Sequence, residues 1–408
     1  MTAPTLPAAF NRLAWSNLAA QSAEQIGLAA APLVAVLMLG AGAGETGLLQ
    51  TAQTLPFLLL SFPAGVLADR SSRRRLMAGA EALRALSLLA VLALAWGGLL
   101  TLPLLGLLGF VGATGTVAYS VTAPSLVPAL VPRTQLAQAN GRIELARAVA
   151  FVAGPALAGA LIAHLGAAPS YGAAAMLSIG AVLLLAGIAE PGRTAAPPRR
   201  FLQDLREGAG FAWHQPLLRP ILLTAVFFNV AWFVLQAVYV PYAVHHLGLD
   251  AAGVGTTLAA YGVGMVAGAL LAPRITQRLP FGLVVVIGPI AGLAAALVMA
   301  ATIWFPSIEL ACASFFLIGA GPMLWVISST TLRQAVTPDA LLGRVSAIIT
   351  MATAGARPVG AAIGAIIGGS YGAEACVLVA VLGFLVQALV IVTSPVIRLA
   401  RLPERAPS

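Results

Sequence analysis

From Thr46 to Ala68 the chain carries no charged residue, and from Leu76 to Leu100 it carries only Glu81 and Arg84. A helix needs roughly 20 apolar residues to cross a bilayer, and both runs meet that length. The whole chain can be cut into about twelve such runs. Only 9% of its 408 residues are charged, whereas a soluble domain has about a quarter. No soluble fold hides this much apolar surface, so the solvent is lipid. Alternating short strands are missing, which argues against a membrane barrel. The expected fold is therefore an all-α membrane protein of twelve transmembrane helices.

Spans are expected at about Leu13–Leu39, Thr46–Ala68, Leu76–Leu99, Leu104–Val127, from Gln138, and Ser170–Ala189. A second set follows at Leu217–Val244, Ala251–Pro273, Gly282–Phe305, Glu309–Leu332, Gly343–Ile367 and Ala373–Val396. Pro124, Pro128 and Pro132 are expected to break the fourth span toward the cytoplasm. The two sets echo each other. Gly65 and Gly268 are 203 residues apart, as are Pro155 and Pro358 (268 − 65, 358 − 155). One offset serving two landmarks predicts a duplicated unit of six helices. The domains are then an N-terminal bundle over 1–190, a cytoplasmic linker over 191–216 and a C-terminal bundle over 217–408. Within the linker, Phe201, Leu202 and Leu205 share a face opposite charged residues, which suggests a short helix on the inner leaflet.

All 22 basic residues are arginine. With Arg84, Arg147 and Arg357 assigned to spans, the remaining 19 fall in the N-terminus, the even-to-odd loops and the C-terminus. The odd-to-even loops carry acids and histidines instead. This bias places both termini in the cytoplasm. The net charge of +9 thus reports topology and contact with anionic lipid heads, not a nucleic-acid partner. Cys312 and Cys376 both fall in apolar runs and read as small core residues. The first apolar segment is too long for a cleavable signal peptide.

Polar residues inside lipid must face protein or water. In the first span Asn17, Gln21 and Glu24 recur at i, i+4, i+7 and share one helical face. Burial in a low dielectric favours the protonated form of Glu24, which makes it the candidate proton-binding group. The alternative is a protonated glutamate bonded to Gln25 or a neighbouring helix. Glu81 and Arg84 are spaced to pair on one face and, near the cytoplasmic end, read as a structural pair. Tyr119 fits either a cavity wall or packing. In the seventh span Asn229 and Gln236 share a face, with Trp232 and Phe233 between them. Amides beside aromatics suit a large apolar or cationic ligand; packing against lipid is the competing account. Arg357 lies so deep that it must meet water, a carboxylate such as Glu24, a carbonyl or a substrate anion.

Between the second and third spans runs Gly65-Val66-Leu67-Ala68-Asp69-Arg70-Ser71-Ser72-Arg73-Arg74-Arg75-Leu76. Asp69 ends a helix, where an anion is unfavourable without a partner. This turn resembles the signature loop of the major facilitator superfamily; Gly65, Leu67, Ala68, Asp69, Arg70, Arg73 and Arg74 match, while Ser72 stands where the family has glycine. In the fifth span, which opens with Arg142, Glu144 and Arg147, Gly154-Pro155-Ala156-Leu157-Ala158-Gly159 is similar to the superfamily's antiporter motif, with Ala158 in place of a glycine. Gln21-Ser22-Ala23-Glu24, Leu136 to Gly141 and Phe211 to Leu218 most resemble bacterial exporters of the enterobactin-exporter and macrolide-efflux type.

The resemblance implies two pseudo-symmetric six-helix bundles, a central cavity and alternating access. It also implies a conformational latch of Gly65, Asp69, Arg70, Arg73 and Arg74 against the eleventh span near Arg344. Its antiporter motif would be Arg147, Gly154, Pro155 and Gly159. The function expected is proton-coupled export of a small amphipathic compound, a drug or siderophore, across a bacterial inner membrane by a monomer. The energy source is the proton gradient, with no cofactor and no metal. Two alternatives stay open: a facilitator or importer in which Glu24 only binds substrate, and a non-transporting receptor or scaffold. No Ser-His-Asp set, metal spacing or phosphate loop appears, so an enzyme is not expected.

Overall fold

The computed structural model describes residues 6–190 and 201–403, without the side chains of Asp69, Arg133, Ala137, 201–204, Asp339 and Ala340. Among the described residues there is no strand. The helices are α1 (Ala8–Leu37), α2 (Ala43–Arg70), α3 (Arg73–Trp96), α4 (Leu102–Leu130), α5 (Leu136–Leu165), α6 (Ala167–Ala186) and α7 (Phe201–His214). They continue as α8 (Leu218–His245), α9 (Ala251–Arg278), α10 (Phe281–Ala301), α11 (Ile308–Val336), α12 (Asp339–Tyr371) and α13 (Ala373–Val392). All but α7 are long and apolar enough to cross a membrane, twelve in total. Several extend past the apolar runs, because the hydrogen-bond ladder continues into the polar turns.

Pro124 and Pro128 do not end α4, contrary to the expectation above. Both lie inside the helix, which stops at Leu130 before Pro132. In a membrane helix the backbone groups freed by proline are re-satisfied locally and by neighbours, so the ladder runs on.

The chain divides into two compact units. The first holds residues 1–41, 52–197 and 249–259; the second holds 42–51, 198–248 and 260–408. In the first unit α1 packs on α5 and α6, and α3 packs on α4 and α6. In the second α8 packs on α12 and α13, and α10 packs on α11 and α13. Substituting α8 for α1 and α10 for α3 turns one scheme into the other. This is the packing counterpart of the 203-residue echo.

Lipid tails are as apolar as leucine, so helices in a bilayer associate mainly through close packing of small residues. Gly115 of α4 shows how tight this is: a Cβ there would stand 2.4 Å from the Ala80 carbonyl oxygen of α3. Gly65 differs. A Cβ there would meet only Val121, at an ordinary 3.8 Å, so this glycine is not a point of close helix approach here.

The α2–α3 turn is two residues long. Ser72 caps α3, its hydroxyl accepting from the Arg75 N–H, and in turn donates to the Glu190 carboxylate. That accounts for a serine at the superfamily's glycine position. Helix α7 forms within the linker, as its pattern predicts; Gly208 lies against the Arg344 backbone of α12, and Ala212 is buried in a core shared with α8 and α12.

Candidate functional site

The first unit holds a cluster of three ionisable side chains. Glu81 and Arg84 sit one turn apart on α3, as their spacing predicts, with Arg84 Nη1 2.9 Å from Glu81 Oε1. The same nitrogen donates to the Ala20 carbonyl of α1 at 3.0 Å, and Nη2 donates to Thr116 Oγ1 of α4 at 2.7 Å. Ser178 of α6 donates to Glu81 Oε2 at 3.0 Å. Glu24 of α1 completes the cluster, its Oε2 3.7 Å from Arg84 Nη2. Three helices thus meet at one guanidinium, and α6 joins them through Glu81.

Exposure separates the two acids. The Glu81 side chain is fully buried, whereas that of Glu24 keeps 19% of its surface. Removing one partner of a buried pair typically costs about 3–5 kcal/mol, because the other charge is stranded. The cluster therefore holds α1, α3, α4 and α6 together.

Around it, Asn17 is buried, Gln21 is half-buried, and Gln25 is buried. A Cβ on Gly154 would come within 2.4 Å of Gln25 Cβ, so that glycine is what lets α5 close on α1. Tyr119 lies in the hydrophobic core of the unit beside Ser16 and Asn17; of its two readings, packing holds. Pro155 and Gly159 pack on the first turns of α9, where a Cβ on Gly159 would meet the Ala251 carbonyl oxygen at 2.4 Å. Arg147 pairs with Glu144 at 2.9 Å, both partly exposed, an arrangement typically worth about 0–1 kcal/mol.

In the second unit Trp232 stacks on Tyr261 (5.5 Å, 19°) and meets Phe315 edge-on, as does Tyr239. Trp232 is buried, so this part of the aromatic stripe is core. Asn229, Phe233 and Gln236 remain half-exposed on one face of α8. They repeat the i, i+4, i+7 spacing of Asn17, Gln21 and Glu24, with an amide where the first unit has its acid. Asn229 donates to the Ala225 carbonyl of its own helix. The Arg357 guanidinium of α12 lies 5.8 Å from the Phe233 ring centre, within cation–π range.

The cytoplasmic turn is fastened by a residue that sequence reasoning passed over. Glu190, just past α6, accepts from the Ser72 hydroxyl and from the backbone N–H groups of Arg73 (3.0 Å) and Arg74 (3.2 Å). Arg74 donates to the Ala186 and Ile188 carbonyls. An anion at a helix N-terminus is favoured by the unpaired N–H groups and the helix dipole. Burial pulls the Glu190 carboxyl up, but the Ser72 hydroxyl, the Arg74 and Arg73 N–H groups and the Arg73 charge together hold it below the usual carboxylate range. The available signal was a lone acid ending a span opposite an arginine turn. Arg70 is exposed, and the Asp69 side chain lies outside the described ones. Arg344 of α12 forms an ion pair with Glu207 of α7.

Twelve spanning helices, two units built on one packing scheme and ionisable side chains buried within a unit define a membrane transporter of the major facilitator fold. A bacterial homologue of the human lysosomal transporter Spinster, solved inward-facing and unoccupied, matches with a TM-score of 0.72 at 15% identity, over 99% of this chain and 100% of that one. A bacterial homologue of the iron transporter ferroportin, solved inward-facing, gives 0.73 at 16% identity, over 95% and 99%. The chain belongs to the transmembrane secretion effector family of that superfamily, whose family model matches residues 3–405. It is 27% identical over 401 residues to the multidrug efflux pump Tap of Mycobacterium tuberculosis, spanning 94% of this chain and 93% of that one. It is 29% identical over 307 residues to the enterobactin exporter EntS of Escherichia coli, spanning 73% and 71%.

Proposed function

We propose that this protein exports a small amphipathic compound, a drug or a siderophore, in exchange for protons, by alternating access. It would act as a monomer in a bacterial cytoplasmic membrane with both termini inside. The observation that carries this reading is Glu24: a partly exposed acid on a polar stripe, joined through Arg84 to a buried acid. The relatives named as a drug pump and a siderophore exporter support the direction and the substrate class. A proton gradient drives transport only if protonation differs between the inward- and outward-facing states. Glu24 takes a proton from outside, the change of charge shifts the conformational equilibrium, and release inside resets it. The half-exposed Asn229, Phe233 and Gln236 beside Arg357 would bind the substrate.

The test is uptake of dyes, antibiotics and siderophores into inverted vesicles, with and without a pH gradient. Gradient-driven accumulation that Glu24→Gln abolishes is the expected result. Transport by Glu24→Gln equal to wild type, or transport indifferent to collapse of the gradient, would overturn the reading.

A further inference from the structure

We propose that Arg333, with the hydroxyls of Thr330 and Thr337, forms an oxyanion-binding subsite at the C-terminal end of α11, taking the carboxylate or phosphate of an amphipathic ligand. Two sources carry that chemistry: the acidic group of a cargo and the headgroup of a phospholipid. Where the ligand is the cargo, the inference rests on the export reading and adds an acidic group to it.

The apolar run expected from the sequence ends at Leu332, which left Arg333 to a loop. The helix continues to Val336, so Arg333 belongs to the span. Val326, Thr330, Arg333 and Thr337 fall at i, i+4, i+7 and i+11 and share one face of α11. An arginine inside a span must meet water, a carboxylate or a carbonyl. Arg333 is half-buried and its Nε is enclosed, yet among the described residues it has no ion pair, hydrogen bond or ring contact. The half-buried Thr330 hydroxyl is equally unpartnered. Thr337 is only 1% exposed, and its hydroxyl also lacks a partner. Enclosed polar groups are costly unless they are bonded. Helix side chains lean toward the N-terminus. Arg333 therefore leans away from the open carbonyls that end α11 and toward Val326, which is 48% exposed. That direction separates it from an arginine that caps its own helix or reaches for bulk water.

The donors fix the ligand class. A guanidinium presents a planar fork that matches two oxygens of a carboxylate or phosphate. Thr330 and Thr337 add one hydroxyl donor on each side of it along the helix. The stripe holds no acid, so a cationic group would meet only like charge. An apolar body attached to the anion would extend along α11 over Val326.

The measurement is equilibrium dialysis of radiolabelled octyl phosphate against the full-length protein in phosphatidylcholine nanodiscs, with no gradient and with binding to empty nanodiscs subtracted. Arg333→Gln should weaken binding about ten- to a hundredfold, the span of one hydrogen-bonded charge. Arg333→Lys, a charge without the fork, should fall between, and Thr330→Val should weaken binding a few-fold. Arg274→Gln, which removes an exposed arginine of α9, should bind as wild type does. Wild-type affinity in folded Arg333→Gln, or an equal loss in Arg274→Gln, overturns the proposal. Should Arg333→Gln fail to fold, unchanged binding in both Arg333→Lys and Thr330→Val overturns it. Native mass spectrometry of protein released from the same nanodiscs separates the sources. A phospholipid retained by wild type, lost in Arg333→Gln and displaced by octyl phosphate assigns the site to a headgroup. Arg333-dependent binding without a retained lipid assigns it to an anionic solute. Arg333-dependent binding without gradient-driven transport would retain this inference and reject proton-coupled export. Gradient-driven transport with binding indifferent to Arg333 would do the reverse.

Discussion

Replacing Glu190 should loosen the start of α3 and leave the rest of the bundle intact. The carboxylate accepts three hydrogen bonds, from the Ser72 hydroxyl and the Arg73 and Arg74 N–H groups. Hydrogen bonds to a charged group contribute about 1.5–3 kcal/mol each when buried. Glu190 is only half-buried, so water replaces much of that, and the helix-cap range of about 0.5–2 kcal/mol is the better guide. Taking about 2 kcal/mol for Glu190→Ala, and 1.36 kcal/mol per factor of ten, the Arg73 and Arg74 amides should exchange with deuterium about thirtyfold faster. Glu190→Gln keeps an acceptor and loses the charge; at about 1 kcal/mol it should accelerate exchange about fivefold. The carboxyl is held below its ordinary value of 4.5. Its contribution is therefore complete above that value and is lost as pH falls through the lower folded-state value. Exchange of these amides in both variants at the wild-type rate would refute the reasoning. So would equal acceleration across all helices, which would mean that Glu190 supports the whole unit and not one turn.

Other substitutions probe the remaining contacts. Gly159→Leu should destabilise the protein by about 1–3 kcal/mol through overpacking against Ala251 and Gly255, read as a lower midpoint in thermal unfolding followed by size-exclusion chromatography. Phe233→Ala should weaken binding of a tryptophan-quenching dye and Phe233→Tyr should not, since only the alanine removes the ring facing Arg357, a contact worth about 0.5–2 kcal/mol. Arg147→Gln should change thermal stability by less than about 1 kcal/mol, because its ion pair with Glu144 is not buried within the protein.

The twelve spans were legible because a membrane leaves its mark on every residue of a helix, and an apolar run of the required length has few other meanings. The Glu81–Arg84 pair was legible for a related reason: both residues sit on one helix, where spacing fixes proximity. Glu24 was legible as a polar-face acid, but its contact with Arg84 was not. Arg84 belongs to another helix, and periodicity says nothing about which faces of α1 and α3 meet. Glu190 escaped notice because its role depends on α6 ending beside the start of α3. Ser72 read as a departure from a motif until its two hydrogen bonds, one accepted and one donated, gave it a task. The aromatic stripe of α8 divided in two only when Tyr261 and Phe315 covered Trp232 and left Phe233 beside Arg357.

One proton carried per cycle on Glu24, as proposed, has an electrical consequence. One proton carried inward against a neutral cargo moves one positive charge down the membrane potential, a contribution of about 2.3 kcal/mol per 100 mV. A monovalent cationic cargo going out cancels that charge, and the voltage then contributes nothing. An anionic cargo moves two charges' worth and gains twice as much. The charge of the cargo would thus decide which compounds the cell can expel when its pH gradient is small and its voltage is large.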